Sequence, residues 1–262
     1  MFYSVYNANG LWVAGGSAGV YYSTDGKKWA QSNLSSGYMY PAYYADGSWV
    51  CGGGDGLYYS TDGKTWTKYE SGAFYALYNA NGLWVAASTS SGLYYSTDGK
   101  TWTQSNVTSG YFYPLYSANG MWVAGSLTNK GLYYSTDGKT WTQSNITSSQ
   151  FFSVYNANGM WIAANCDGKG LYYSTDGKTW TQSNITSNDF NIVYNENGLW
   201  VAGSNSDTGL YYSPTWEPTI PAGEYMFSEK LTKFTSGGDI AENISFTSND
   251  TSHSKMTLQF KT

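Results

Sequence analysis

The sequence predicts an all-β fold: a six-bladed β-propeller of four-stranded antiparallel blades, followed by a small C-terminal β appendage. Three observations support this prediction. The phrase Ser-Thr-Asp-Gly-Lys-Thr-Trp recurs at regular spacing, a second phrase containing Asn-Gly recurs out of step with it, and aromatic and β-branched runs flank both phrases. A repeat of this length indicates stacked or radially arranged copies of one supersecondary unit.

The first phrase predicts a tight hairpin turn. Successive copies of its Asp lie 37, 36, 39 and 39 residues apart. Asp-Gly supplies residues that tolerate positive φ in a two-residue or bulged turn, and the Ser hydroxyl and Asp carboxylate can bind turn N–H groups. We therefore expect a structural role, rather than Ca²⁺ binding, for these residues: Ser23, Asp25, Trp29, Ser60, Asp62, Trp66, Ser96, Asp98, Trp102, Ser135, Asp137, Trp141, Ser174, Asp176 and Trp180.

This phrase resembles the Asp-box, or BNR-type, motif of sialidase-like β-propellers, whose pattern is Ser-x-Asp-x-Gly-x-Thr-Trp. The spacing here is one residue tighter. The resemblance implies a propeller fold and a structural turn, because in that family the box is not part of the catalytic chemistry.

The second phrase, Asn-Ala-Asn-Gly-Leu-Trp in its first copy, predicts another hairpin in each repeat, since Asn-Gly between β-rich runs is a strong hairpin signal. Its tryptophans count six repeats: Trp12, Trp49, Trp84, Trp122, Trp161 and Trp200. In the third repeat we expect strands at about residues 74–78, 83–87, 92–96 and 101–105. Four short strands in each repeat describe a propeller blade, and six blades would occupy residues 1–216.

The sixth repeat lacks its box, because Pro214 and Thr215 stand where Asp-Gly-Lys is expected. Pro cannot donate to a sheet ladder, so we expect the outer strand of this blade to be short or absent. Residues 217–262 form the predicted appendage. We expect it to pack on the propeller, to oligomerise or to continue beyond Thr262 in a longer protein. A divergent seventh blade is the less favoured alternative. Its residues 221–227 and 244–248 weakly resemble β modules of phage tail proteins.

The composition argues against several classes of function. All 13 basic residues are Lys, charged residues are 12% of the chain and the net charge is −5, so the basic stripe that nucleic-acid binding requires is missing. No basic and apolar leader precedes the first repeat, and no apolar run approaches the length of a membrane span. Cys51 and Cys166 occupy non-equivalent positions, and we expect free thiols.

The loops fall into two sets. The A–B and C–D turns of each blade lie on one rim and barely vary between repeats, whereas the B–C loops and the D-to-A connections lie on the other rim and differ at every blade. Variable loops on a rigid scaffold are typical of binding sites. Aromatic rings beside amides and carboxylates suit sugars, although such rings also plug channels. The candidate ligand-binding residues are Tyr38, Tyr40, Phe74, Tyr75, Tyr111, Phe112, Tyr113, Phe151, Phe152, Phe190, Asn129, Asp167 and Asp207.

Catalytic chemistry is disfavoured. The sialidases that share the box hold their substrate with an Arg cluster, for which Lys is a poor substitute, and this chain has no Arg. His253 is the single His, which argues against Ser-His-Asp and His/Cys metal sites. A two-carboxylate glycosidase stays open but unfavoured, since nothing pairs Asp55, Asp189 or Glu196 with another acid.

We expect a non-enzymatic binding propeller without metal or cofactor, recognising a glycan or cell-surface receptor as part of a phage tail or adhesive protein. Other virion proteins are further candidate partners, and the expected location is the virion or the extracellular space. The alternative is an assembly propeller that docks a protein, and a glycoside hydrolase is third. Asn-x-Ser/Thr triplets are interpreted as polar exits from strand D rather than glycosylation sites, and they begin at Asn33, Asn106, Asn145, Asn184, Asn243 and Asn249.

Overall fold

The computed structural model describes residues 1–206, 209–213, 230–231, 244–248 and 256–260. Six four-stranded antiparallel sheets follow one another along the chain, as predicted. Each sheet is one blade, numbered 1 to 6, and its strands A to D run in sequence order. Among the described residues, no helix with the length and apolarity to cross a bilayer occurs.

The strand bounds repeat closely from blade to blade. Blade 1 contains β1 (Phe2–Ala8), β2 (Leu11–Gly16), β3 (Gly19–Ser23) and β4 (Ala30–Gln31). Blade 2 contains β5 (Met39–Ala45), β6 (Ser48–Gly53), β7 (Gly56–Ser60) and β8 (Thr67–Ser71). Blade 3 contains β9 (Phe74–Ala80), β10 (Leu83–Ser88), β11 (Leu93–Ser96) and β12 (Thr103–Gln104).

The second half continues the series. Blade 4 contains β13 (Phe112–Ala118), β14 (Met121–Ser126), β15 (Leu132–Ser135) and β16 (Thr142–Gln143). Blade 5 contains β17 (Phe151–Ala157), β18 (Met160–Asn165), β19 (Leu171–Ser174) and β20 (Thr181–Gln182). Blade 6 contains β21 (Phe190–Glu196), β22 (Leu199–Ser204), β23 (Leu210–Ser213) and β24 (Lys230–Leu231), and β25 (Ile244–Ser248) pairs with β26 (Met256–Phe260) in a separate hairpin.

The fourth strand of blade 6 is present and comes from the predicted appendage. Lys230 pairs with Tyr211 and Leu231 with Leu210, the same places that Gln182 and Ser183 take beside β19 in blade 5. Blade 6 therefore takes its fourth strand from beyond residue 216, the predicted end of the propeller. The sequence could not show this because β24 carries none of the repeated phrases.

The A–B turns agree with the Asn-Gly prediction. In blade 3, Asn81 and Gly82 connect β9 to β10 with φ values of 51° and 75°. These are the positive values that a two-residue turn matching the strand twist requires. Equivalent pairs with positive φ close the same hairpin in all six blades.

The box forms a longer loop than predicted. Six residues, 97–102, separate β11 from β12, and β12 is only two residues long. The Ser96 Oγ accepts from the Asp98 and Gly99 N–H groups at 3.2 and 2.9 Å, while Asp98 Oδ1 accepts from Lys100 and Thr101 at 2.8 and 2.7 Å. These side-chain acceptors satisfy backbone donors that a ladder would otherwise pair, so the chain remains a loop through Trp102.

The cores lie between the blades. Between blades 4 and 5, Val123 and Leu132 of one sheet pack with Phe151, Val154 and Trp161 of the next, all nearly or fully buried. Four further clusters repeat this arrangement at the other junctions along the chain. Cys51 and Cys166 are free thiols, as predicted, and burial raises the pKa of Cys51 to about 12.

Candidate functional site

The two loop sets occupy opposite rims, which we call the uniform rim and the variable rim. On the uniform rim, the A–B turn residues Asn81 and Gly82 share a groove with the box residues Thr97, Thr136 and Asp137. On the variable rim, each B–C loop donates a backbone hydrogen bond to the segment that enters the same blade. Examples are Gly54 to Tyr38, Leu127 to Tyr111 and Cys166 to Gln150.

A basin of about 380 Å³ lies on the axis between the blades, lined by strand A residues of blades 1 to 5. Its aromatic wall consists of the second residue of each strand A. The remaining lining adds four serine, alanine or proline residues, three aliphatic residues and, deeper, Tyr43. Because strand A starts at the variable rim, this wall stands at that end of the axis. The aromatic residues are Tyr3, Tyr40, Tyr75, Tyr113 and Phe152.

The rings of the basin contact one another. Tyr40 stacks on Tyr3 at a centroid distance of 5.2 Å and an interplanar angle of 13°, and it lies 4.1 Å from the Tyr75 ring. Tyr113 and Phe152 make an edge contact at 5.1 Å. These contacts fix the ring orientations, so the wall is preorganised rather than formed on binding.

Electrostatically the basin is neutral. No residue that lines it carries a formal charge. Burial, together with the neighbouring phenols of Tyr75 and Tyr3, raises the pKa of Tyr40 to about 12, and burial raises the pKa of Tyr113. These phenols therefore stay protonated at neutral pH and present O–H groups that can donate as well as accept.

A second tier of tyrosines lies deeper along the axis. Tyr43, Tyr78, Tyr116 and Tyr155 follow one another at centroid distances of 5.9, 5.1 and 4.8 Å. Burial, with the nearby Tyr78 and Tyr6 phenols, raises the pKa of Tyr43 to about 12. Of this tier, Tyr43 lines the basin.

Four of the candidate ligand-binding residues are core residues instead. Phe74, Phe112, Phe151 and Phe190 open strand A in their blades and are at most 1% exposed. Each packs on the preceding blade within an inter-blade cluster. Side chains alternate along a strand, so the first residue of strand A faces the junction and the second faces the basin, a distinction that the sequence analysis missed.

The other candidates are accessible. Tyr38 is 56% exposed beside Tyr3, and Phe152 is 37% exposed. Tyr111 is half-buried next to Tyr75. Asn129 is exposed with φ 57°, and its Oδ1 accepts from Gln150 Nε2 at 3.2 Å. Tyr38 and Tyr111 thus extend the aromatic wall through contacts with Tyr3 and Tyr75, whereas Asn129 does not line the basin.

Two carboxylates of the variable rim have local partners, although Asp167 Oδ1 is buried without one. Asp167 Oδ2 binds Lys169 at 3.1 Å, while Asp55 accepts from Tyr58 and Lys68. Asp207 lies outside the described residues. In the part of the chain that the structure describes, no cluster of three or more His, Cys, Asp and Glu side chains is placed to hold a metal ion.

Tyr3, Ser4 and Ser153 line the basin but were not among the predicted residues. A signal for Tyr3 was available, since it holds the same repeat position as Tyr40 and Tyr75. The comparison of D-to-A connections does not include Tyr3, because the first repeat follows no such connection.

No known protein-family model matches the chain, and no curated protein matches it in sequence. Solved structures do match. An ancestral GH74 enzyme is 16% identical with a TM-score of 0.65, over 83% of this chain and 37% of that one. YCF48 from Cyanidioschyzon merolae is 12% identical with a TM-score of 0.60, over 82% of each chain.

PorZ, a surface component of the type-IX secretion system of Porphyromonas gingivalis, is 12% identical with a TM-score of 0.62, over 94% of this chain and 43% of that one. The chain thus spans less than half the length of PorZ and of the GH74 enzyme. These neighbours are β-propellers, and at such identities they establish the fold alone.

Proposed function

We propose that this propeller is a non-enzymatic binding protein that recognises an uncharged glycan, carried by a cell surface or receptor, at the basin on its variable rim. The observation that carries the proposal is the neutral aromatic basin, to which five blades each contribute the ring at the second position of strand A. Its volume of about 380 Å³ lies within the roughly 300–1,000 Å³ of small-molecule sites.

The chemistry of the basin favours a sugar over other small ligands. Ring faces cover the apolar face of a pyranose, and protonated phenol and serine hydroxyls exchange hydrogen bonds with its hydroxyl groups. A phosphate or carboxylate ligand would need cationic partners to replace its hydration, and none lines the basin. The setting that fits such a protein is a phage tail or another exported adhesive protein.

A glycan array tests the proposal with wild-type protein and the variants Tyr75→Ala, Phe152→Ala and Tyr38→Ala. Loss of one stacked ring should weaken binding about tenfold or more, since ring stacking contributes on the order of 1–2 kcal/mol. Tyr69→Ala is the matched control, because Tyr69 is 46% exposed but lies on the outer strand of blade 2. An array without wild-type hits, or hits that all four variants retain, would count against glycan recognition.

A second candidate function is the docking of a protein partner during assembly. It is favoured by the exposed rings of Tyr3 and Tyr38 beside the basin mouth, since aromatic residues are enriched at protein interfaces. PorZ, a secretion-system component, is a neighbour in fold. A pull-down from host lysate, run beside binding to purified cell-wall polysaccharide, distinguishes the two candidates.

The proposal that the protein is not an enzyme has its own test. A retaining or inverting glycosidase needs two carboxyl groups about 5–10 Å apart. Burial raises the pKa of the Cys166 thiol, and so do the nearby carboxylates of Asp167 and Asp189, which are the pair of acids to test. A screen of aryl glycosides with the wild type should give no turnover. Turnover that Asp167→Asn abolishes would overturn this part of the proposal.

A further inference from the structure

The junctions between consecutive blades bury one fixed set of residues. Strand A of the incoming blade contributes an aromatic or Met and an aliphatic residue, strand B a Trp, and the box usually a second Trp. In blade 3 these include Phe74, Leu77 and Trp84, all at most 3% exposed.

Blade 1 carries the same set without a covering blade. Phe2 is 60% exposed, Val5 58%, Trp12 37% and Trp29 38%. We call these four residues the open face of blade 1. A groove of about 540 Å³ runs along it, lined by Phe2, Val5, Trp29 and their neighbours. So large an apolar patch on a soluble protein indicates an interaction surface.

The face of blade 6 that points away from blade 5 is exposed as well. Leu210 of blade 6 is 38% exposed, whereas its equivalents Leu57, Leu93, Leu132 and Leu171 are fully buried by the blade that follows. Ile192 is 59% exposed. Blades 6 and 1 therefore do not bury each other as the five inner pairs of blades do.

The chain continues from blade 6 into a further β-hairpin. β24 is the outermost strand of blade 6, and β25 is the next strand that the structure describes. Residues 232–243, twelve in number, separate β24 from β25. At about 3.3 Å per residue they can span up to about 40 Å, well beyond the roughly 10 Å between packed sheets.

The β25–β26 hairpin has the pattern of a sheet with one apolar side. The register pairs Ile244 with Phe260 and Phe246 with Leu258, and the intervening pairs are polar. A two-stranded sheet is at best marginally stable alone in water and needs an apolar surface to pack against. The open face of blade 1 is such a surface.

From these observations we infer that the β25–β26 hairpin docks on the open face of blade 1 and takes the place that a preceding blade holds at the inner junctions. The hairpin thereby links the C-terminal segment to the N-terminal strand and closes the gap between blades 6 and 1.

The test is a double-mutant cycle in the full-length chain. Val5→Glu places a charge on the open face, and Phe246→Ser with Leu258→Ser removes the apolar character of the hairpin. If the hairpin covers Val5, Val5→Glu should lower Tm by about 4–10 °C with the native hairpin, because a charge is buried without a partner. With the altered hairpin, the same change should lower Tm by less than about 2 °C.

Two control substitutions are measured in the same cycle. Leu77→Glu, at the matching site of blade 3, should be strongly destabilising with either hairpin, since Leu77 is 3% exposed. Thr24→Glu, at an exposed site of blade 1, should change Tm little with either. If Val5→Glu unfolds the protein, the milder Val5→Ser is carried through the same cycle.

Three outcomes would overturn the inference. No effect of Val5→Glu with the native hairpin would mean that the face is uncovered. Equal losses with both hairpins would mean that blade 6 covers it directly. A doubled mass in light scattering, lost with Val5→Glu, would mean that a second copy of the chain covers it.

Discussion

Asn106 and Trp141 exchange two hydrogen bonds across the junction between blades 3 and 4. Asn106 Nδ2 donates to the Trp141 carbonyl at 2.8 Å, and the Trp141 N–H donates to Asn106 Oδ1 at 2.8 Å. The same amide clamp joins Asn33 to Trp66 and Asn145 to Trp180. It explains why Asn recurs at the exit of strand D, where a glycosylation signal would be an alternative interpretation.

We predict that Asn106→Ala lowers the free energy of unfolding by about 1–3 kcal/mol, because it leaves the N–H and carbonyl of Trp141 without their partners. Denaturant unfolding measures the loss. Thr108→Ala, which removes an exposed hydroxyl from the same triplet, serves as the control and should cost less than about 0.5 kcal/mol. Equal losses for the two variants would show that the clamp contributes nothing.

The stability that the box contributes depends on pH through the carboxylate of Asp98. Partial burial alone would raise its pKa, but donation from the Thr101 and Lys100 N–H groups and from Ser96 outweighs burial and lowers the pKa to about 2. A carboxyl whose folded pKa lies below its ordinary value of 3.8 stabilises the fold above pH 4, and this contribution is lost as pH falls through about 2.

Asp98→Asn should therefore cost about 1 kcal/mol at pH 7, since a charge-assisted acceptor becomes a neutral one. Its deficit relative to the wild type should shrink between pH 4 and pH 2. Urea unfolding of both proteins across this range measures the difference. A deficit that stays constant down to pH 2 would contradict the assigned role of the carboxylate.

The phenol of Tyr43 makes the stability of the fold depend on alkaline pH in the same way. Its pKa is raised to about 12 by burial and by the neighbouring Tyr78 and Tyr6 phenols. The neutral phenol therefore stabilises the fold fully below its ordinary pKa of 10.0, and this stabilisation is lost as pH rises through about 12.

We expect Tyr43→Phe to match the wild type between pH 7 and 9 and to lose stability less steeply between pH 10 and 12. Unfolding midpoints of the two proteins at each pH report the difference. Parallel losses across the whole range would show that Tyr43 ionises in the folded state as easily as in the unfolded state.

Lys100 contributes a smaller link between blades. Its Nζ lies 4.3 Å from the ring centre of Tyr59 in the preceding blade. Lys100→Ala should cost about 0.5–1 kcal/mol, the usual strength of an exposed cation–π contact. Lys27 holds the same place in blade 1, where the described residues place no ring beside its ammonium group, so Lys27→Ala should be close to neutral. Thermal unfolding of both variants tests the comparison.

The repeated phrases predicted the fold because each is a local signal. The Asn-Gly pairs and the box define two hairpins in each repeat, and six copies of Trp12 and its equivalents count the blades. The number of blades and the separation of the two rims follow from these signals alone, since an antiparallel connection fixes the end of the sheet at which each loop lies.

Features that depend on contacts between repeats were not predictable in this way. Phe112 and Tyr113 are adjacent in sequence, yet one is fully buried at a junction and the other faces the basin. Val5 and Leu77 have equivalent positions but are 58% and 3% exposed. A repeat pattern treats these positions as equal, and only the neighbouring blade distinguishes them.

We propose a division of roles in which the variable rim binds a ligand while the uniform rim is scaffold. Its most direct test compares the dissociation constant of one array-derived glycan for the wild type, Tyr113→Ala and Thr136→Ala, the last at an exposed site on the uniform rim. We predict that Tyr113→Ala weakens binding at least tenfold and that Thr136→Ala leaves it unchanged. Equal affinities for all three proteins, or a loss confined to Thr136→Ala, would contradict the claim.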